Sequence, residues 1–275
     1  MIGPGSTPEV LAAAPVFKRA GMAYSVASAT RSDLTSGKNP GFFRIAAPDS
    51  LQAKTTTDFM IKRLHVKSVL VTDDQSGYGK PLADDVASLL RKAGVKVHRS
   101  SVTQKQSDFS ALITSIPSGT DLVYLAWLLP AKLQLFGVQL KEQGKGKLKL
   151  YMSDAAGTGP VTIVGAYFST FGPFVQTFPE AQKVLKDYRA KYGQKAQVTN
   201  FGPLGYISGQ TMVDAVARAC KDGTATRAEV LQQMYKTNLK TSIIGQPIRY
   251  TKHGDRLGAG FFIFQITKNG PITIH

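Results

Sequence analysis

A chain of 275 residues with 43% hydrophobic, 9% aromatic and 19% charged residues has a globular composition, richer in apolar residues and poorer in charge than a disordered chain, and is long enough for one large or two medium domains. The formal charge of +16 raises the question of an anionic partner. However, Lys and Arg recur through every predicted helix, and the densest stretch, Lys141, Lys145, Lys147 and Lys149 among glycines, lacks the interleaved aromatics and motifs of nucleic-acid binders, so a solvated basic surface is expected, with anionic ligands or membrane surfaces as the secondary reading.

In chain order, Ile2-Gly3-Pro4-Gly5-Ser6-Thr7 reads as the end of a strand passing into a long apolar run, and Ser25 to Thr30 as a second strand end, followed by Phe43-Arg44. From Lys67 to Met152 a repeating β-α rhythm predicts a mostly parallel sheet flanked by helices. Ser68 to Thr72 is its first strand. A helix over Leu82 to Lys92 has Leu82, Val86, Leu89 and Leu90 on one face, Gly94 stops it, and Val95 to Val97 is the next strand. Ser107-Asp108 caps a short helix through Ile116, Asp121 to Trp127 forms a third strand, Pro130 opens a helix to about Gln143, and Leu148 to Met152 makes a fourth strand. Helices follow over Pro179 to Tyr192, over Leu204 to Lys221 with Ile207, Met212, Val213, Val216 and Cys220 as apolar positions, and over Thr226 to Lys236, capped by Thr224 or Thr226. The glycine-punctuated alternation from Gln246 to Ile274 reads as antiparallel strands.

No apolar run approaches a membrane span, the start carries no basic stretch leading into an apolar one, and Cys220, the only cysteine, sits in an apolar helical pattern as a core residue. His65, His98, His253 and His275 fall in positions that read as surface or strand, outside any metal pair, nucleophile elbow or triad order. Gly3-Pro4-Gly5 and Gly157-Thr158-Gly159 lack the remaining residues of a phosphate loop and read as turns. The pattern therefore points to no catalytic residue, metal or cofactor. Ligands of open α/β sheets bind at the carboxyl ends of strands, where Ser6, Thr7, Ser28, Ala29 and Thr30 supply short hydroxyls and backbone N–H groups suited to a small anion such as a carboxylate. The plain alternative is that they cap helices. Tyr78, in the loop Asp73-Asp74-Gln75-Ser76-Gly77-Tyr78-Gly79, offers a ring with a hydroxyl handle, and Trp127 reads equally as a pocket wall or an ordinary core residue.

Together with Asp108-Phe109-Ser110-Ala111-Leu112-Ile113, these segments in this order resemble the extracytoplasmic solute-binding proteins of branched-chain amino acid ABC transporters, from Ile2 to about the end of the chain. The resemblance implies a type I periplasmic binding protein: two α/β lobes, each a mostly parallel doubly wound sheet, with the amino-terminal lobe at 1–49 and 169–247, the second at 50–168 and 248–275, and three crossings near Asp49, Ser169 and Pro247 forming a hinge. It implies that Thr7, Ser28 and Thr30 hold a ligand carboxylate, that Tyr78 reaches the ligand from the second lobe, and that an acidic residue against a ligand ammonium registers with Asp154 or equally with Ala155. If Asp154 points away, aromatic or aliphatic carboxylates replace amino acids as the expected ligands. The implied function is capture of a small solute by hinge closure and delivery to an ABC permease in the membrane, in the periplasm or anchored at the cell surface. A ligand-sensing domain of the same fold is the alternative. The family's opening β-α units have no counterpart here, since Met1-Ile2 enters at a strand end. The amino-terminal lobe is therefore expected to lack strands, with impaired binding and a homodimer or swap filling the slot, and a circular-dichroism melt matching that of an amino-terminally extended chain would refute this.

Overall fold

The runs Ser68–Asp73 and Leu122–Ala126 are buried at every residue, as expected of central parallel strands covered on both faces. The computed structural model describes residues 1–274; His275 lies outside them. In chain order the elements begin α1 (Thr7–Arg19), β1 (Tyr24–Val26), β2 (Phe42–Arg44), α2 (Asp49–Lys62), β3 (Ser68–Asp73), α3 (Gly79–Lys92), β4 (Lys96–Ser101), α4 (Ser110–Thr114), β5 (Leu122–Ala126) and α5 (Pro130–Glu142). They continue with β6 (Lys149–Met152), β7 (Tyr167–Thr170), α6 (Gln182–Tyr192), α7 (Gly202–Ala219), α8 (Arg227–Tyr235), β8 (Asn238–Leu239), β9 (Ile248–Arg249), β10 (Phe262–Thr267) and β11 (Gly270–Thr273). The chain divides into two compact units, Met1–Pro48 with Phe171–Gly260, and Asp49–Thr170 with the chain from Phe261 on.

The second unit holds a seven-stranded sheet in the order β11-β10-β7-β6-β5-β3-β4. β3 to β7 run parallel, while β10 pairs antiparallel with β7 and β11. On one face, Phe59 and Met60 of α2 and Leu82, Val86 and Leu90 of α3 pack against Val69, Val71, Tyr124 and Tyr151. Leu89, expected on the same stripe, is only partly buried there. Elsewhere in the core Phe109, Trp127 and Phe136 meet, with ring centroids 4.9 to 5.8 Å apart. The carboxyl ends of the parallel strands thus present the loops beginning at Asp73, Trp127 and Ser153.

In the first unit β1 and β2 pair in parallel, and Ile2 bridges to Ser25 in the same sense. Val10 and Ala14 of α1 close over Tyr24, Val26 and Phe42. Thr226 and Glu229 form a reciprocal capping box at the start of α8. The buried face of α7 differs from the expected one: Leu204, Ile207, Ser208, Thr211, Met212 and Ala215 point inward, Val213 and Val216 are exposed, and Cys220 is half-buried. Small and hydroxyl residues let the helix approach closely, so the bulkier valines do not mark the buried stripe.

Residues 248–260 belong with the first unit, 13 residues beyond the crossing expected near Pro247. The reason is a set of buried polar contacts. Arg44 N–H donates to the Gly254 carbonyl at 2.9 Å, and Arg256 Nε donates to the Ile45 carbonyl at 2.9 Å. Tyr250 stacks edge-on against Phe43 at 5.0 Å. Gly254 has φ +91, and a Cβ there would lie 1.9 Å from the Phe42 carbonyl oxygen, whereas Gly258, at φ +71, has open space. Gly254→Ala is therefore expected to lower unfolding free energy by more than about 2 kcal/mol and Gly258→Ala by about 1 kcal/mol, read by urea denaturation; equal losses would show that the close approach at Phe42 is unimportant.

Candidate functional site

In the first unit, two strand-end segments meet and are pinned from within. Ser6 is the N-cap of α1, but its N–H and that of Gly5 donate to the Glu9 carboxylate at 2.9 and 2.8 Å. These bonds hold the Glu9 carboxyl below its usual range, and they take up two donors expected for a ligand. Ser28 Oγ donates to the Gly5 carbonyl, and Thr7 Oγ1 accepts the Arg31 N–H at 3.4 Å. The Ser28 proton is thereby committed inside the protein, while Thr7 keeps its own. Thr30 is buried, and its hydroxyl has no partner among the described residues, an arrangement that costs free energy unless something pairs with it. Ala29 is buried beside it.

Arg44, at the carboxyl end of β2, fixes this loop. Its guanidinium is fully buried and donates to the Ala29 carbonyl at 3.3 Å, the Arg31 carbonyl at 2.8 Å, Thr35 Oγ1 at 3.0 Å and Asp255 Oδ1 at 2.6 Å. A planar fork of donors matches so many acceptors in a way that no other side chain can. Phe43-Arg44 stands out in the sequence, yet nothing in spacing assigns Arg44 this positioning task.

In the second unit, Asp154 follows β6 and opens a 3-10 turn. It is buried, and its Oδ1 accepts from the Tyr78 hydroxyl and from Gln52 Nε2 at 3.3 Å. Gln52 also donates to Ser169 Oγ at 3.0 Å, which lies 3.3 Å from Thr56 Oγ1. A buried acidic group therefore stands at this strand end, with the buried Ala155 next to it. Burial pushes its carboxyl up to about 6, opposed by the hydrogen bonds from Tyr78 and Gln52. The Tyr78 phenol is pushed well above its ordinary value by burial and by the charges of Asp154 and Asp49. The β3–α3 loop sets Tyr78 in place: Asp74 accepts from Ser76 N–H at 3.1 Å, Ser76 Oγ at 2.6 Å and Leu128 N–H at 2.8 Å. A Cβ at Gly79 would sit 2.1 Å from the Ala126 carbonyl oxygen, so only glycine fits after Tyr78.

Trp127 does not join this cluster. Its indole N–H donates to Thr72 Oγ1 at 2.9 Å and its ring packs against Phe109 and Phe136, so it is a core residue, as its apolar strand suggested equally well. Gln52 was invisible to sequence reasoning, because a glutamine on a helix face carries no spacing signal. Among the described residues no group of His, Cys, Asp or Glu could hold a metal ion, and no helix is long and apolar enough to cross a membrane.

The family model described as periplasmic binding protein matches residues 1–271. The chain belongs to the periplasmic binding protein family. It is 27% identical over 272 residues to the Leu/Ile/Val-binding protein homolog 3 of Brucella melitensis, covering 96% of this chain and 72% of that protein. Among solved structures, a leucine-binding protein of Thermotoga maritima superposes with a TM-score of 0.87 at 22% identity, over 100% of this chain and 78% of that one. A solute-binding protein of R. palustris in complex with benzoate superposes at 0.84 and 18% identity, over 99% and 76%. This periplasmic binding protein has the type I α/β fold and is a binding protein, not an enzyme.

The raised carboxyl of Asp154 carries a sign. Between about pH 4, where an unfolded aspartate ionises, and about 6, the unfolded state loses its proton first, so Asp154 contributes stability at low pH that is lost as pH rises through its folded value. Relative to Asp154→Asn, the ligand-free protein should lose on the order of 2–3 kcal/mol across that interval. Urea denaturation from acid to neutral pH checks this, and parallel profiles for the two proteins would contradict a buried, ionisable Asp154.

Proposed function

We propose that this protein is the extracytoplasmic solute-binding component of an ABC importer, taking up a small amino acid of the branched-chain type and handing it to a membrane permease. Each unit carries its own strand-end cluster, with Thr7 and Thr30 in the first and Asp154 with Tyr78 in the second. The observation that carries this reading is Asp154, a buried carboxylate at the carboxyl end of β6, oriented by Tyr78 and Gln52. Both side-chain donors fall on Oδ1, so in this reading Oδ2 is the oxygen offered to a ligand ammonium. The hydroxyls of Thr7 and Thr30, on the loop that Arg44 holds, supply donors for the carboxylate. The Brucella melitensis and Thermotoga maritima relatives, named for leucine or for leucine, isoleucine and valine, support this class of solute.

A second reading, an aromatic or aliphatic acid without an amino group, is favoured by one feature: Asp154 already has two donors inside the protein, so it does not require an ammonium. The likeness to the benzoate complex is consistent with it.

Thermal-shift measurements with leucine, valine, alanine and benzoate decide between the two. A bound solute raises the melting temperature by mass action. We expect leucine or valine to give the larger shift, Asp154→Asn to weaken amino acid binding about 30-fold, and Thr30→Val to weaken any carboxylate by a similar factor, on the scale of a hydrogen bond to a charged group. Benzoate binding that survives Asp154→Asn, with no response to amino acids, selects the second reading; no shift with any small carboxylate overturns both.

A further inference from the structure

The parallel topology of the second unit collects its basic residues at one end. The α2–β3 connection carries Lys62, Arg63 and Lys67, and the α3–β4 connection carries Arg91, Lys92 and Lys96. The α5–β6 connection carries Lys141, Lys145, Lys147 and Lys149, and the turn between β10 and β11 adds Lys268. Because β3 to β7 are parallel and β10 runs against β7, all these segments lie at the amino ends of the parallel strands. Eleven basic residues there face only two acidic ones, Asp121 and Glu142, an excess of nine out of the formal +16. The lysines are therefore gathered, not scattered as their recurrence along the sequence implied. At the opposite end the connecting segments and adjoining element ends hold Asp49, Asp73, Asp74, Asp108 and Asp154 against Lys80, Arg99 and Lys105, with Arg99 bonded to Asp73 at 2.8 Å.

Favourable placement at helix carboxyl ends accounts for Lys62, Arg91, Lys92 and Lys141. It does not account for Lys67, Lys96, Lys147 and Lys149, which are exposed on the strand side of each connection. Among the described residues of this end only Lys62 has a carboxylate partner, Asp58 at 3.1 Å. Asp121 is occupied with backbone, accepting the Lys67 and Ser68 N–H groups at 2.6 and 2.9 Å. A concavity of about 610 Å³ opens beside α5, with Lys141, Lys147 and Lys149 on its wall and the exposed Val138 and Val164 at its apolar part.

We propose that this end of the second unit docks onto an anionic phospholipid surface, with a headgroup phosphate seated in the lysine-walled concavity. Nine of the eleven cations are lysines, compact hydrated charges suited to a diffuse negative layer. Protein interfaces, in contrast, are depleted in lysine and enriched in arginine, tryptophan and tyrosine. The site is separate from the strand-end cluster around Asp154, so surface docking leaves that cluster free to bind its solute.

Co-sedimentation with phosphatidylcholine vesicles containing about 30% phosphatidylglycerol, at about 50 mM and about 500 mM NaCl, tests the proposal. Binding is expected at low salt and lost at high salt, and vesicles of phosphatidylcholine alone should not bind. Replacing Lys141, Lys147 and Lys149 together by Gln should weaken binding at least about tenfold. The same charge change at Lys186, Lys191 and Lys195, exposed residues in and after α6, should leave it nearly unchanged. Equal losses in the two triple variants would mean a net-charge effect and overturn the proposal. So would indifference to the anionic lipid, or binding to poly-L-glutamate without binding to vesicles, which would point to an acidic protein partner. Thermal shifts with solute should be the same in the lysine variant as in the parent, which separates failure here from failure of the solute-binding assignment.

Discussion

A guanidinium with no access to water organises the first unit. Arg44 ties together residues 29 and 31, residue 35 and residue 255, segments that share no secondary structure. An arginine deprived of water is tolerated only when its donors are matched, and here the acceptors are one carboxylate, one hydroxyl and two carbonyls. The requirement runs in both directions. The loop after β1 must keep its carbonyls turned toward Arg44, and that leaves the side chains of Thr30 and Ser28 to be positioned by what remains. Asp255 must stay opposite β2, which is why residues 248–260 fold with the first unit even though they follow a helical stretch and precede the strands of the second.

The second unit solves a related problem with the opposite charge. Asp154 is also buried, but its side-chain partners are neutral donors, a phenol and an amide, and among the described residues no cation is bonded to it. A carboxylate stabilised only by hydrogen bonds keeps part of its desolvation penalty, which is what raises its ionisation to about 6. The contrast is one of pairing: the arginine has its donors matched by a carboxylate, a hydroxyl and two carbonyls, whereas the carboxylate has hydrogen bonds alone to offset its burial.

The β-α rhythm from residue 67 to 152 was legible because buried parallel strands are continuous apolar runs and their helices carry an apolar stripe at helical spacing; β3, β5, α3 and α5 follow directly. The α7 stripe is not legible from hydrophobicity, because the inward-facing Ser208, Thr211 and Ala215 are not bulky while the exposed Val213 and Val216 are. The strand-end residues could be picked out by chemistry and order, but not what their atoms do: Ser6 and Ser28 look equivalent to Thr7 and Thr30 until Glu9 and the Gly5 carbonyl are seen to engage the first two. Gln52 and Arg44 were unassigned because each acts across more than a hundred residues of chain or through carbonyls, and neither leaves a local pattern.

Charge placement shows the same limit most plainly. Along the sequence the lysines recur every few residues, and a composition argument treats them as a uniform coat. Parallel strands convert that recurrence into polarity: every turn from helix to strand falls at one end of the sheet, every turn from strand to helix at the other, so a bias of one sign in one kind of turn adds up instead of averaging out. In this chain the helix-to-strand turns are lysine-rich and the strand-to-helix turns aspartate-rich. The carboxylates thus gather where α/β sheets bind ligands, and the cations gather as far from them as the sheet allows. Lysines moved from the first kind of turn to the second would leave composition unchanged while setting cations beside Asp154 and lowering its ionisation.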